Sequence, residues 1–206
     1  MKTIAIISQK GGSGKTTLAL HLAVAAEAAG KVTVLLDLDP QASATGWKDS
    51  RKGETPEIIA LPSMRLGPAL RTASEEGFDL ALIDTAPSTE RDAATAARAA
   101  DLVLVPCRAA ILDLRAIGMT VELVKLTGKP AYAVLNAVPP HAARIEADAR
   151  EAISGYGLSV APCTLQHRAA YAHALTVGQV AQEYEPKGKA AGEVAALYKW
   201  LDTIIR

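Results

Sequence analysis

Five short runs of apolar, largely β-branched residues punctuate the chain: Thr3 to Ile7, Val32 to Leu36, Leu80 to Ile83, Leu102 to Val105 and Ala131 to Leu135. Each is apolar at nearly every position instead of every other one, which predicts strands buried on both faces. Between them lie alanine-rich stretches with helical spacing, Thr17 to Ala29, Glu90 to Ala100 and Leu114 to Leu126. Gly30 and Gly128 stand where helix C-caps belong, because glycine enters the left-handed region without a Cβ clash. The alternation predicts an α/β fold: a mostly parallel twisted sheet with helices on both faces, joined by right-handed crossovers. Two regions depart from it. Asp49 to Glu57, with Lys52-Gly53-Glu54-Thr55-Pro56, reads as a surface loop before a weak strand at Ile58 to Leu61. Past Pro139-Pro140 the pattern gives a polar helix over Ala142 to Ser154, a strand near Leu158 to Val160 and a helical tail ending at Arg206. No repeat, low-complexity tract or long linker interrupts the chain, so residues 1–206 are read as one domain.

Composition narrows the classes. At 206 residues one core can form without a metal or disulfide. Aromatic content of 4%, with Phe78 the single phenylalanine, argues against an aromatic-rich β-sandwich. Cys107 and Cys163 lie far apart and form no ligand spacing with the four histidines, which argues against structural zinc, a redox dithiol and a secreted disulfide scaffold. No apolar run reaches the length of a membrane span, and Met1-Lys2 leads only into a short strand, so a cytoplasmic location is expected. The 22 basic and 22 acidic residues cancel, which disfavours a constitutive nucleic-acid packager while leaving room for a local basic patch.

The densest chemistry follows the first strand: Gln9-Lys10-Gly11-Gly12-Ser13-Gly14-Lys15-Thr16-Thr17, running straight into an apolar helix. Glycines let backbone N–H groups converge on phosphate oxygens, and the helix N-terminus turns its positive end to the same anion. Lys15 would reach the β- and γ-phosphates of ATP or ADP, and Thr16 offers a hydroxyl to Mg²⁺. The pattern G-x-x-x-x-G-K-[ST] wants glycine where Gln9 stands, so an early glycine is missing and a second lysine, Lys10, is gained.

A loop with both Lys10 and Lys15 resembles the deviant Walker A motif, K-G-G-x-G-K-[ST], of the ParA/MinD family of P-loop ATPases. Two further motifs stand in the family order: Asp37-Leu38-Asp39-Pro40-Gln41 after the second strand, and the hydrophobic strand Leu80 to Ile83 running into Asp84-Thr85-Ala86-Pro87-Ser88. The resemblance covers nearly the whole chain and is motif-dense over its first half. It implies an ATPase whose phosphate loop spans Lys10, Gly11, Gly12, Ser13, Gly14, Lys15, Thr16 and Thr17. Asp84 fits the Walker B role on Mg²⁺ together with Thr16, Asp37 would share that shell, and Asp39 would orient the attacking water. Helix capping or an Asx-turn before Pro40 is the other reading of Asp37 and Asp39. Lys10 would cross a dimer interface to phosphates held by a second copy, so that ATP joins a homodimer. Asn136, ending the strand Ala131 to Leu135, is a candidate for the adenine edge or a turn residue before Pro139-Pro140.

The branch of the family is read from the second half. The tail Val194 to Arg206 carries few basic residues, and a docked terminal helix is expected there instead of a membrane anchor. The cysteines match no iron–sulfur ligand pattern and read as buried thiols. Thr164 to Arg168 and Tyr184 to Lys189 look like the stretches where ParA-type partition ATPases hold DNA without sequence preference, which makes Arg168, Lys187 and Lys189 the DNA candidates. The likeness is to the short ParA form, without a helix-turn-helix operator-binding domain. It implies a nucleoid-associated ATPase that segregates or positions a plasmid, chromosome or protein cargo, stimulated by a ParB-like or other adaptor. A MinD-like membrane-associated placement ATPase and a P-loop metabolic ligase are the alternatives.

Overall fold

The computed structural model describes residues 1–87 and 90–205; Ser88 of the quoted motif and Arg206 of the tail lie outside the described residues. In chain order the elements are β1 (Lys2–Ile6), α1 (Lys15–Ala28), β2 (Thr33–Asp37), α2 (Ser43–Ser50), β3 (Glu57–Ala60), α3 (Leu66–Glu75), β4 (Leu80–Asp84) and α4 (Glu90–Ala99). There follow β5 (Leu102–Arg108), α5 (Ile111–Thr127), β6 (Ala131–Asn136), α6 (Ala143–Gly155), β7 (Ser159–Val160), α7 (Ala169–Thr176), α8 (Ala181–Tyr184) and α9 (Lys189–Ile204). Among the described residues the strands form one seven-stranded sheet, ordered β3-β2-β4-β1-β5-β6-β7 and parallel throughout.

Alternation along each strand divides the core in two. Ile4 and Ile6 face the layer containing α1 and α9, whereas Ala5 and Ile7 face the layer containing α3 to α6. Small alanines on the helices, Ala19 and Ala23 on one side and Ala93, Ala96 and Ala97 on the other, let the helix backbones approach the sheet. Gly30 at φ +81° and Gly128 at φ +66° end α1 and α5 as their positions predict. With all strands running one way, β1, β2, β4, β5 and β6 present their carboxyl ends at one edge, the usual place for a ligand in an open α/β sheet.

Four helices escape the periodicity: α2, α3, α7 and α8. The loop expected from Asp49 is correspondingly shorter, because α2 continues through Ser50. Tertiary contacts hold α2: Asp37 Oδ2 accepts the Ala44 N–H at 3.1 Å, Trp47 is buried, and its indole N–H donates to the Gln179 carbonyl at 3.1 Å. In α3 the Gly67-Pro68 pair hides a buried stripe of Leu66 and Ala73; Pro68 is tolerated because first-turn N–H groups need no helical partner. The tail forms α9, which buries Val194, Leu197, Tyr198 and Leu201 in the core shared with α1, while Trp200 stands edge-on to Tyr132 at 5.0 Å. These five residues therefore pack on the domain. Among the described residues no helix is long and apolar enough to cross a membrane.

Candidate functional site

The loop between β1 and α1 lies at the carboxyl edge of the sheet, flanked by β4 on one side and β5 on the other. Its turns need left-handed backbone at Gly12 (φ +72°) and Gly14 (φ +94°), which explains glycine at both. Its entry is tied down by Thr120 on α5, whose hydroxyl accepts the Gln9 N–H at 3.3 Å, and by Ser8, whose hydroxyl accepts the Lys10 N–H at 3.3 Å.

The two lysines differ. Lys15 is buried at 6% exposure, and burial lowers its pKa against the opposing pull of the Asp84 and Asp39 carboxylates. Lys10 is exposed, and among the described residues its ammonium finds no partner.

Asp37 and Asp84 end neighbouring strands and are directly paired in the register of β2 and β4. Asp84 is fully buried; the Thr16 hydroxyl donates to its Oδ2 at 2.6 Å, and its Oδ1 has no hydrogen-bond partner among the described residues. Burial pushes the Asp84 carboxyl up to about 7, with the Thr16 bond pulling down and the Asp37 charge adding to the rise. Burial also raises the pKa of Asp37, opposed by backbone N–H groups of Asp39, Ala44 and Thr45. Both Asp37 oxygens accept such bonds, from Asp39 N–H at 3.0 Å and Ala44 N–H at 3.1 Å, while Asp39 Oδ1 accepts the Gln41 N–H at 2.9 Å. The turn and capping geometry weighed for these two residues is therefore present. Asp39 is half-buried and keeps its other oxygen for a further contact.

An orphaned carboxylate oxygen beside a threonine hydroxyl, with a buried lysine close by, suits a hard cation shared with phosphate oxygens. Among the described residues no group of three or more His, Cys, Asp and Glu forms a cage, so Thr16 and Asp84 would hold Mg²⁺ jointly with a nucleotide.

Asn136 also reaches the loop. Its Nδ2 donates to the Ser13 carbonyl at 2.8 Å and its Oδ1 accepts the Ala137 N–H at 2.8 Å, so the amide expected at the adenine edge faces the phosphate loop. Arg108, in register with Asn136 at the end of β5, is a cation that the sequence pattern did not single out. It is exposed and sits over Gly12, where a Cβ would lie 3.7 Å from its Nη2.

The DNA candidates do not behave alike. Lys187 and Lys189 are exposed around the start of α9. Arg168, expected to contact DNA, is engaged within the chain: its guanidinium pairs with Glu193 Oε1 at 2.6 Å and donates to Gln166 Oε1 at 2.7 Å. Glu193 lies one helical turn beyond Lys189 and draws Arg168 onto α9.

A family model described as the CobQ/CobB/MinD/ParA nucleotide binding domain matches residues 4–179. The chain is 29% identical over 201 residues to maintenance of carboxysome distribution protein A of Gloeobacter kilaueensis, covering 96% of this chain and 91% of that protein. It is 32% identical over 168 residues to the chromosome-partitioning ATPase Soj of Thermus thermophilus, covering 66% and 68%. Among solved structures the fold is similar to apo McdA of Cyanothece (TM-score 0.80, 20% identical, 98% of this chain and 99% of that one). It is similar also to septum site-determining protein MinD with Mg-ADP from Pyrococcus horikoshii (TM-score 0.78, 18% identical, 98% and 96%).

Proposed function

Because the chain belongs to the CobQ/CobB/MinD/ParA nucleotide-binding family and is a P-loop ATPase, we propose that it acts as a ParA-type positioning switch. ATP with Mg²⁺ joins two copies, the dimer holds DNA without sequence preference, and an adaptor stimulates hydrolysis to release it. The observation that carries this reading is the contrast between the lysines: Lys15 is buried on its own site while Lys10 stands exposed on the same loop, its ammonium without a partner among the described residues. A cation of that kind suits phosphates held by a second copy, which ties association to the γ-phosphate. Bound Mg²⁺ would supply neutralising charge on the phosphate oxygens. Lys15 and the loop N–H groups bind and orient the phosphates, and Asp39 orients water. Two relatives bear the names of a carboxysome-distribution protein and a chromosome-partitioning ATPase, which supports a role in moving cargo. Burial of the apolar face of α9 favours DNA over lipid as the matrix.

Lys10→Ala is expected to retain nucleotide binding and to lose ATP-dependent dimers, read as the shift in elution volume with ATP against ADP. A dimer that forms normally with ATP would remove the basis of the switch.

For DNA, Lys187 and Lys189 are the phosphate contacts, because Arg168 is already committed to Glu193. Replacing both lysines by alanine is expected to lower the slope of log affinity against log salt by about 2 per bound chain. Fluorescence anisotropy with a random duplex across a salt series measures it. An unchanged slope places the DNA surface elsewhere.

A further inference from the structure

We propose that Asn136 is the positioning residue of the phosphate loop, acting on how the loop presents its N–H groups to phosphate and not on recognition of the base. The inference rests on the nucleotide-binding assignment and is independent of the DNA and dimer readings.

Three observations converge on it. The first is the orientation of the amide. Oδ1 accepts the Ala137 N–H while Nδ2 donates to the Ser13 carbonyl, both at 2.8 Å. Flipping the amide would set donor against donor and acceptor against acceptor, so the two backbone groups together dictate which end faces the loop. Second, Ala137 holds that N–H in place with a left-handed backbone, φ +52°, which an alanine adopts only when its surroundings impose it. Third, the loop leaves no room for a side chain where the amide arrives. Gly14 has φ +94°, and a Cβ there would overlap the Asn136 amide nitrogen. Glycine is thus needed at position 14 twice over, for the backbone angle and for the Asn136 side chain.

Peptide planarity turns this anchor into a device. In a trans peptide the C=O of one residue and the N–H of the next point in opposite directions. Holding the Ser13 carbonyl toward β6 therefore turns the Gly14 N–H away from Asn136, toward the open side of the loop. The Gly14 carbonyl already accepts the Leu18 N–H at 2.9 Å as the first bond of α1. With both flanking carbonyls held, the peptide preceding Lys15 and Thr16 is pre-oriented before ligand arrives, and less ordering is left for binding to supply.

The test separates loop positioning from base reading by using a ligand without a base. Affinities for ADP and for tripolyphosphate, each with Mg²⁺, are measured by calorimetry for the unaltered chain and for Asn136→Ala. Both are expected to weaken by the same factor, about tenfold, the worth of one buried hydrogen bond at a charged site. Hydrogen exchange at Gly14 should quicken in the ligand-free variant. If Asn136→Ala does not fold, Asn136→Ser replaces it, keeping an acceptor near the Ala137 N–H while falling short of Ser13. A loss confined to ADP would make Asn136 a base or sugar contact and overturn the proposal. So would unchanged affinity for both ligands, or failure of the unaltered chain to bind tripolyphosphate. Failure to bind ADP at all would instead strike the nucleotide-binding assignment itself.

Discussion

Replacing Asp84 with asparagine is expected to lower ATP hydrolysis by about 10²–10³-fold, the scale of several kcal/mol that a metal-held phosphate contributes. The reason is local. Asp84 is fully buried, accepts the Thr16 hydroxyl on one oxygen and, among the described residues, leaves the other without a partner, so its charge suits a cation that asparagine would hold far more weakly. Stability should move the other way. Burial pushes the Asp84 carboxyl up to about 7 from an ordinary 3.8, so above that pH the nucleotide-free fold carries an ionised group at a cost. Asparagine removes the charge and keeps an oxygen for Thr16. Nucleotide-free Asp84→Asn should therefore melt above the unaltered protein at pH 8, while its hydrolysis in excess Mg²⁺ is nearly lost. A variant that hydrolyses ATP at close to the original rate would show that Asp84 does not hold the ion.

The second large effect concerns acid stability and His21, which is 1% exposed on α1. Its Nε2 accepts the Ala181 N–H at 3.0 Å, so that nitrogen carries no proton, and Nδ1–H donates to the Thr17 carbonyl at 2.7 Å. The imidazole thus joins the helix that follows the phosphate loop to the start of α8, and Gln182 Nε2 strengthens the joint by donating to the His21 carbonyl at 2.9 Å. Burial lowers the His21 pKa from 6.5 to about 4, against the Thr17 bond and the Glu183 charge, which favour the protonated form. The unfolded chain takes up this proton near pH 6.5 and the folded chain only near 4, so stability falls as pH drops through that window. The loss amounts to about 3 kcal/mol once both states are protonated. His21→Gln keeps a donor and an acceptor but does not titrate. Melting temperatures of the two proteins from pH 4 to pH 8 should diverge below about 6.5, the histidine form falling faster. A constant difference across the range would mean that His21 contributes nothing to acid sensitivity.

Residues close together in the chain made the site legible. Lys10 to Thr17 announce their chemistry because glycine torsions and lysine charge act within one turn, and Asp37 and Asp84 because each ends an unbroken apolar strand. Helix α2 was hidden because its run Ser43-Ala44-Thr45-Gly46 has little apolar periodicity, and the carboxylate that stabilises its first turn belongs to Asp37 on another element. The engagement of Arg168 was not legible because Glu193, its partner, is 25 residues away.

The sequence by itself determined the parallel sheet, the double-lysine phosphate loop and the acidic strand ends, since apolar runs, glycine angles and charge are properties of neighbouring residues. Only the tertiary structure decided which way those groups face. Asn136 meets a carbonyl 123 residues away, His21 meets an N–H 160 residues away, and Trp47 is held by a carbonyl 132 residues away. Such pairings exist only after the strands stack in the order β3-β2-β4-β1-β5-β6-β7 and bring distant carboxyl ends to one edge. A buried polar group must then find whatever partner the fold delivers, and no local pattern encodes which one that is.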